Sequence, residues 1–96
     1  MNNKDKKYLR SIGMNIEAIV QVGKNGVNEN TVNSLNEALE ARELVKVKVL
    51  KNCFEEIDEV AENLEAQCDC EIVQVIGRNI LLFRPNAKKP VIKFPQ

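Results

Sequence analysis

The stretch from Ala18 to Val27 reads AIVQVGKNGV and joins two kinds of secondary structure. Its first half, Ala18 to Val22, is short, apolar and rich in β-branched residues, which predicts a strand. Its second half, GKNG from Gly23 to Gly26, holds two of the four glycines of the chain. Asn28 follows, and asparagine is a preferred residue at a helix N-cap. The stretch therefore predicts a strand, a tight loop and a helix in succession.

The segments on both sides extend this alternation of helix and strand. Residues 4–13 repeat apolar side chains every three or four positions, which predicts a helix. Residues 43–50 alternate valine with lysine. Successive side chains of a strand point to opposite faces, so this strand should have one core face and one basic face with Lys46 and Lys48.

A third helix is predicted after the second strand. Asn52 and Glu55 have the spacing of a capping box, in which each side chain bonds to the backbone N–H of the other residue. Apolar residues from Phe54 onward then recur at helical spacing to about Gln67. We therefore expect this helix to begin just after Asn52, with Phe54 on its apolar side.

Together these elements predict a single α/β domain. Two β-rich runs, residues 71–76 and 79–84, are close enough to pair as an antiparallel hairpin. The full order is helix, strand, helix, strand, helix, strand, strand, and strands joined by helices favour parallel pairing. We expect a four-stranded mixed sheet with helices packed on it in residues 1–85. A Pro- and Lys-containing tail, residues 86–96, should be irregular or loosely docked.

The charges of the chain are balanced in number but unevenly distributed. The sequence has 14 basic and 14 acidic residues, hence no net charge. Residues 55–71 contain acidic but no basic residues, whereas residues 72–96 contain basic but no acidic residues. Neutrality argues against binding by bulk charge, but a basic face can still form if the acidic segment is held away from it.

The missing residue types exclude several classes of function. The chain has no histidine, the commonest general base near neutral pH and the commonest metal ligand, so we expect neither an enzyme nor a metal or cofactor site. Cys68 and Cys70 lie too close in sequence for an unstrained disulfide, so we expect reduced thiols. No run approaches the roughly 18 apolar residues of a membrane span, and the first residues are polar. We expect a monomeric protein of the cytoplasm.

Aromatic residues are scarce, at 4% of the chain. This scarcity argues against single-strand binding by base stacking of the kind seen in RRM and OB-fold domains. We expect Tyr8, Phe54, Phe83 and Phe94 to pack in the core or against the tail.

The loop GKNG admits two interpretations from its residues alone. It can be a simple strand-to-helix turn in which glycine supplies a positive φ. It can also bring the backbone close to a phosphate chain, with N–H groups at the helix start and Lys24 contacting the anion. The lysines of the second strand are likewise either a solvated face or part of a common basic surface with Lys7, Arg10 and Lys24.

Four separated motifs together resemble the YhbY family, the stand-alone bacterial form of the CRM (chloroplast RNA splicing and ribosome maturation) domain. The motifs lie at Lys7–Arg10, Val22–Val27, Glu43–Val47 and Ile72–Arg84. The resemblance implies a fold like that of the C-terminal domain of translation initiation factor three, with the G-x-x-G loop placed as in KH domains. It also implies binding to RNA of the large ribosomal subunit or its precursor, with no small-molecule substrate. Phe83 stands where the family usually has tyrosine, so a hydroxyl group is missing there.

Carried over by position, the resemblance also implies an RNA-binding surface. The loop would contact the RNA backbone, and basic residues elsewhere would extend the surface. These residues are Gly23, Lys24, Asn25, Gly26, Lys7, Arg10, Lys46, Arg78 and Arg84. Replacing Gly26 with Asp is expected to weaken RNA binding and to leave thermal unfolding near that of the wild type. The alternative function is a protein-interaction module that docks on ribosomal proteins or factors through the acidic third helix.

Overall fold

The computed structural model describes residues 1–95 and contains three helices and four strands. The elements are α1 (Asn3–Gly13), β1 (Ala18–Val22), α2 (Glu29–Arg42), β2 (Leu44–Val49), α3 (Ile57–Cys68), β3 (Glu71–Ile76) and β4 (Asn79–Phe83). Their order is the one expected from the sequence, so the predicted α/β fold is confirmed. Among residues 1–95, no helix is both long and apolar enough to cross a membrane.

Polar side chains fix the starts of the first two helices. The side-chain oxygen of Asn2 accepts a hydrogen bond from the N–H of Asp5 at 2.8 Å and caps α1. Asn28 caps α2, as predicted, and forms a reciprocal capping box with Thr31. Each such cap satisfies amides that have no partner within the helix and contributes about 1 kcal/mol.

Helix α3 begins later than the sequence predicted. Its first residue is Ile57 and its N-cap is Glu56, whose side chain makes no capping hydrogen bond. The predicted capping box of Asn52 and Glu55 is wrong, because the Glu55 carboxylate bonds instead to an amide after the GKNG loop, far away in sequence. Phe54, expected to pack in the core or against the tail, is 76% exposed.

The four strands form one mixed sheet in the order β1-β2-β4-β3. β1 and β2 are parallel and joined by the α2 crossover, whereas β4 is antiparallel to both β2 and β3. The β3–β4 hairpin turns at Gly77, which has a φ of +56°. The predicted mixed sheet is therefore confirmed, with β1 and β3 at its edges.

The two faces of the sheet are covered differently. Helices α2 and α3 cover one face, which we call the two-helix face, over a large apolar cluster that includes Val45, Val47 and Val49. Helix α1 and the tail cover part of the opposite face, which we call the one-helix face, over a smaller cluster around Leu9 and Leu81. The remainder of the one-helix face, at the end of the sheet where β1 leads into the GKNG loop, is open to solvent, and Gln21, Lys48 and Asn79 are exposed there.

The tail after β4 is held by one buried carboxylate. The side chain of Glu43 accepts hydrogen bonds from the backbone N–H groups of Asn86, Val91 and Ile92 at 2.5–2.6 Å. Burial acts to raise the pKa of Glu43, but these three N–H donors outweigh it and lower that pKa below its usual 4.5. Ile92 and Phe94 then pack on the one-helix face. The tail is irregular, as expected, but it is firmly anchored rather than loosely docked.

Candidate nucleic-acid interface

The GKNG loop leaves β1 as a hydrogen-bonded turn. The N–H of Gly26 donates to the carbonyl of Gly23 at 3.0 Å. Lys24 and Asn25 lie at the tip of the turn, and both are exposed. No hydrogen bond within residues 1–95 uses the backbone N–H of either tip residue. The tip therefore carries one exposed ammonium group and two backbone N–H donors that have no hydrogen-bond partner within residues 1–95.

Gly26 is required for the shape of the loop. Its φ is +67°, in the left-handed region that favours glycine. A Cβ at this position would overlap the Glu55 carboxylate and would lie 2.8 Å from Cε1 of Phe54. The expectation that Gly26→Asp leaves thermal unfolding near that of the wild type is therefore wrong, because the new side chain would strain the backbone and displace Glu55.

Gly23 is under no such constraint. Its φ is not positive, and a Cβ there would make ordinary contacts, 3.5 Å from Leu50 and 3.9 Å from Asn52. Leu50 in turn donates its N–H to the carbonyl of Val22 at 2.8 Å, which ties the end of β2 to the start of the loop. The two glycines of the motif thus have different structural roles.

Several amides at the start of α2 already have acceptors. The N–H of Val27 donates to Oε1 of Glu55 at 2.8 Å. The N–H groups of Asn28 and Thr31 donate to each other's side chains. These three N–H groups are not free to bind a phosphate at the start of α2. We therefore expect an anion to bind at the loop tip rather than at the helix start.

A polar groove of about 300 Å³ lies beside the loop, between the β1 edge and the first turns of α2. Its lining includes the side chains of Gln21, Asn25, Asn28, Asn30 and Ser34. Amide and hydroxyl groups of this kind both donate and accept hydrogen bonds. The groove can therefore bind neutral polar groups, such as base edges or ribose hydroxyls, next to a phosphate at the tip.

The register of the sheet locates the lysines of β2. Lys46 and Lys48 lie on the one-helix face, as the alternating pattern predicted. Lys48 pairs with Gln21 near the end of β1, whereas Lys46 pairs with Ala18 at its start. Lys48 is exposed and Lys46 is half-buried. Lys48, which the family resemblance did not supply, therefore lies nearer to the loop.

Helix α1 places its cations on the same side of the sheet. Lys7 is exposed and Arg10 is half-buried. The helix packs closely because Gly13 lies directly on Leu81, where a Cβ would be 2.5 Å from the leucine Cδ2. Its first turn lies near the start of β3, the sheet end remote from the loop, as shown by the 4.0 Å ion pair of the N-terminus with Glu71. Helix α1 therefore extends the basic side away from the loop.

Arg78 lies at the loop end of the sheet and holds the backbone there. Its Nε and Nη2 donate to the carbonyls of Val49 at 2.8 Å and Leu50 at 2.6 Å. The same leucine bonds to β1 just before the loop. Arg78 thus fastens the β3–β4 turn to the strand end that supports GKNG.

Arg84 lies at the opposite end of β4, about 17 Å along the strand from the loop end. Its Nη1 donates to Oδ1 of Asn36 at 2.8 Å and to the carbonyl of Cys68 at 2.7 Å, and its Nη2 lies 3.6 Å from Glu40. Its side chain is 21% exposed. The structure does not bring Arg84 to the loop; the residue joins α2, the end of α3 and β4.

The opposite side of the molecule is acidic. Helices α2 and α3 carry exposed carboxylates on the outer side of the two-helix face. These residues are Glu29, Glu37, Glu40, Asp58, Glu59 and Glu62. The uneven charge pattern of the sequence thus corresponds to a spatial separation, with the lysines of α1 and β2 on the other side of the sheet.

Cys68 and Cys70 contribute no ionised thiolate to this surface. All three are free thiols. Burial raises the pKa of Cys68, and burial followed by the neighbouring Cys68 raises the pKa of Cys70 to about 12. Within residues 1–95, no group of three or more His, Cys, Asp and Glu side chains is placed to hold a metal ion.

The model of the CRS1 / YhbY (CRM) domain matches residues 1–84 of the chain. The chain belongs to the CRM domain family. The predicted resemblance is confirmed. Across its length this CRM domain is similar to the Probable RNA-binding protein YqeI of Bacillus subtilis, with 43% identity over 95 residues and 99% of both chains covered. It is also similar to the Probable RNA-binding protein MJ0652 of Methanocaldococcus jannaschii, with 39% identity over 99 residues, 94% of this chain and 73% of that protein.

The CRM fold also matches a solved structure. The solution structure of the hypothetical protein SAV1595 from Staphylococcus aureus superposes with a TM-score of 0.82, at 43% identity and with 99% of both chains covered. The match confirms the α/β fold over nearly the whole chain, including the segments around the loop.

Sequence reasoning missed two residues beside the loop of this CRM domain. Phe54 and Glu55 were assigned to a helix because their spacing fitted one, whereas both belong to the connection that packs against Gly26. The apolar residues from Ile57 onward have helical spacing by themselves, so the pattern does not show that the helix includes Phe54. No local signal could reveal a carboxylate whose partner lies 28 residues earlier in the chain.

Proposed function

We propose that this chain is a non-catalytic RNA-binding protein that grips the RNA backbone with its GKNG loop. The observation that carries the proposal is the loop tip, where Lys24 and Asn25 are exposed and their backbone N–H groups have no partner within residues 1–95. Such a tip can donate two backbone hydrogen bonds to a phosphate, and the Lys24 ammonium can form an ion pair with it. The relatives named as RNA-binding proteins support the same proposal.

The wider surface supports a polyanionic ligand. Lys48 extends the positive charge from the loop onto the open part of the one-helix face, and Arg10 and Lys7 continue it over α1. Phosphate neutralisation releases counterions, so affinity should fall steeply with salt. Lys46 belongs to this surface by position, whereas the guanidinium groups of Arg78 and Arg84 are held by acceptors within the fold.

We further propose that the RNA is that of the large ribosomal subunit or its precursor, bound by a monomer in the cytoplasm during ribosome assembly. This finer assignment rests on the resemblance to the stand-alone YhbY proteins. Sedimentation of cell extract, with detection of this protein across the gradient and crosslinking to map the RNA, tests it. We expect co-migration with large-subunit precursors that is lost at high salt. Migration as free protein at both low and moderate salt would contradict the ribosomal assignment.

A second candidate function is a protein-interaction module that uses α3. The observation in its favour is that Asp58, Glu59 and Glu62 are exposed and form no ion pair within residues 1–95. Reversing these three charges to lysine separates the two functions. Loss of ribosomal association with unchanged affinity for free RNA would favour the interaction module. Glu55 is kept intact in this variant, because it supports the loop.

A further inference from the structure

Phe54 differs from the other aromatic residues of the protein. Its side chain is 76% exposed. The other three aromatic rings pack together on the one-helix face, with Tyr8 and Phe83 at 5.9 and 5.8 Å from the ring centre of Phe94. An exposed phenyl ring lacks the stabilisation that burial of its apolar surface would give. Burial in the core therefore does not explain a phenylalanine at this position.

The ring of Phe54 is nevertheless held in a defined place. Its Cε1 lies against Gly26, at 2.8 Å from where a Cβ would be. The turn before it is closed by the N–H of Cys53, which donates to the carbonyl of Leu50 at 3.1 Å. The residue after it, Glu55, is bonded to the amide of Val27. Hydrogen bonds thus hold the residues on both sides of Phe54, and its ring lies against the GKNG loop at Gly26.

We propose that Phe54 is a stacking platform for one unpaired nucleobase of the RNA strand whose phosphate is bound at the loop tip. This inference rests on the RNA-binding function proposed above and adds a ligand class to it, a single-stranded nucleotide in a loop or bulge. One platform beside a phosphate site differs from the multi-base sheets of RRM domains, so the scarcity of aromatic residues does not oppose it.

The surroundings of the ring favour a nucleotide over an apolar protein segment. Of the large hydrophobic side chains that are exposed, Phe54 alone belongs to the connections at residues 23–28 and 50–56. The other exposed residues of these connections are Lys24, Asn25, Asn28, Lys51, Asn52 and Glu56, of which only Glu56 is acidic. A π-face set mostly among cations and amides suits a base joined to phosphate, whereas a protein hot spot is set among other apolar contacts.

Two matched RNAs test the stacking directly. The first is a hairpin with an adenosine loop, and the second is the same hairpin with abasic loop positions, which keeps the phosphates and removes the bases. Phe54→Ala should weaken binding of the adenosine hairpin by roughly tenfold, in line with about 1–3 kcal/mol per stacked base. It should leave binding of the abasic hairpin unchanged. Phe54→Tyr should restore the affinity for the adenosine hairpin.

A spectroscopic measurement reports on the same contact. The chain has no tryptophan, so Phe54→Trp introduces a single indole beside the loop. Stacking predicts quenching of its fluorescence by the adenosine hairpin and not by the abasic one. Ala66→Trp is the control, since Ala66 is exposed on the acidic helix α3, and its fluorescence should respond to neither RNA.

The outcomes distinguish this inference from the proposed function. If Phe54→Ala binds both RNAs like the wild type, while Lys24→Asp/Asn25→Asp binds neither, the stacking inference is wrong and the loop function stands. An equal loss on both RNAs would also overturn it, because the ring would then act only on the shape of the loop. If the wild type binds neither RNA at low salt, the proposed function falls together with the inference.

Discussion

The carboxylate of Glu55 accepts a hydrogen bond from the backbone N–H of Val27 at 2.8 Å and packs against Gly26. The Glu55 carboxylate therefore lies next to the loop that we propose as the phosphate site. The contact holds the loop in shape, and the same charge opposes an approaching phosphate. Glu55 therefore stabilises the loop through its hydrogen bond but should weaken RNA binding through its charge.

Glu55→Gln should separate these two effects. The amide oxygen can still accept the hydrogen bond, while the charge is removed. We expect RNA affinity to rise about twofold at low salt, as Coulomb repulsion of roughly 0.5 kcal/mol through water is relieved, and thermal stability to change little. Fluorescence anisotropy with labelled RNA and thermal unfolding measure the two quantities. Weaker binding by a well-folded Glu55→Gln protein would contradict the repulsion argument.

The two glycines of the loop should respond differently to alanine. Gly26→Ala places a Cβ at a φ of +67° and against Glu55, so the free energy of unfolding should fall by about 1–3 kcal/mol. Gly23→Ala meets only ordinary contacts and should change it by less than about 0.5 kcal/mol. Urea denaturation of the pair measures the contrast. Equal stabilities would show that the positive φ and the crowding at Gly26 are not costly.

The anchor of the tail gives a pH-dependent prediction. Glu43→Gln should lower the free energy of unfolding by about 1–3 kcal/mol near neutral pH, because buried N–H donors lose an ionised acceptor. The folded-state pKa of Glu43 is lowered from 4.5, so its stabilisation is complete above that pH and is lost as the pH falls through the folded-state pKa. The difference between wild type and variant should therefore shrink in acid.

Unfolding curves at several pH values measure this difference. Glu37→Gln is the control, because Glu37 is exposed on α2 and should show little change at any pH. A wild-type advantage that stays constant or grows below pH 4 would contradict the assignment of Glu43 as an ionised anchor.

Arg84 was predicted to contact RNA but is bonded within the fold, whereas Lys48 was not in the predicted RNA-binding set but lies near the loop. Substitutions at the two residues should therefore affect different properties. Arg84→Lys loses hydrogen bonds to Asn36 and Cys68, so stability should fall by about 1–3 kcal/mol while the salt dependence of RNA binding stays the same. Lys48→Ala should leave stability unchanged and reduce the slope of log affinity against log salt by about 1. A reduced slope for Arg84→Lys, in protein shown to be folded, would return that residue to the RNA surface.

The fold was predictable because its signals are local and repeated. The alternation of valine and lysine in β2, the Asn28 cap and the β3–β4 hairpin each depend on neighbours within a few residues, and all are confirmed. Glu43 was placed in the strand, whereas its side chain reaches across the fold to Val91. Its role follows from tertiary proximity that no periodicity encodes.

The candidate site was predictable in part for the same reason. The GKNG loop is a continuous motif and can be read directly, but the residues that support it come from a different connection. Phe54 and Glu55 matched a helical pattern, and only a long-range hydrogen bond draws them away from it. Arg84 carries the charge expected of an RNA contact, yet three acceptors on α2 and α3 already hold its guanidinium.

The central claim is that the tip of the GKNG loop binds the RNA backbone, and its most direct test is the RNA affinity of Lys24→Asp/Asn25→Asp. Both side chains are exposed and neither forms a hydrogen bond or ion pair within residues 1–95, so the protein should unfold at the wild-type temperature. Two carboxylates at the tip should repel phosphate, and we predict a loss of at least about tenfold in affinity, since one charge-assisted hydrogen bond is worth about 1.5–3 kcal/mol. Unchanged affinity and an unchanged salt slope in the folded variant would contradict the account.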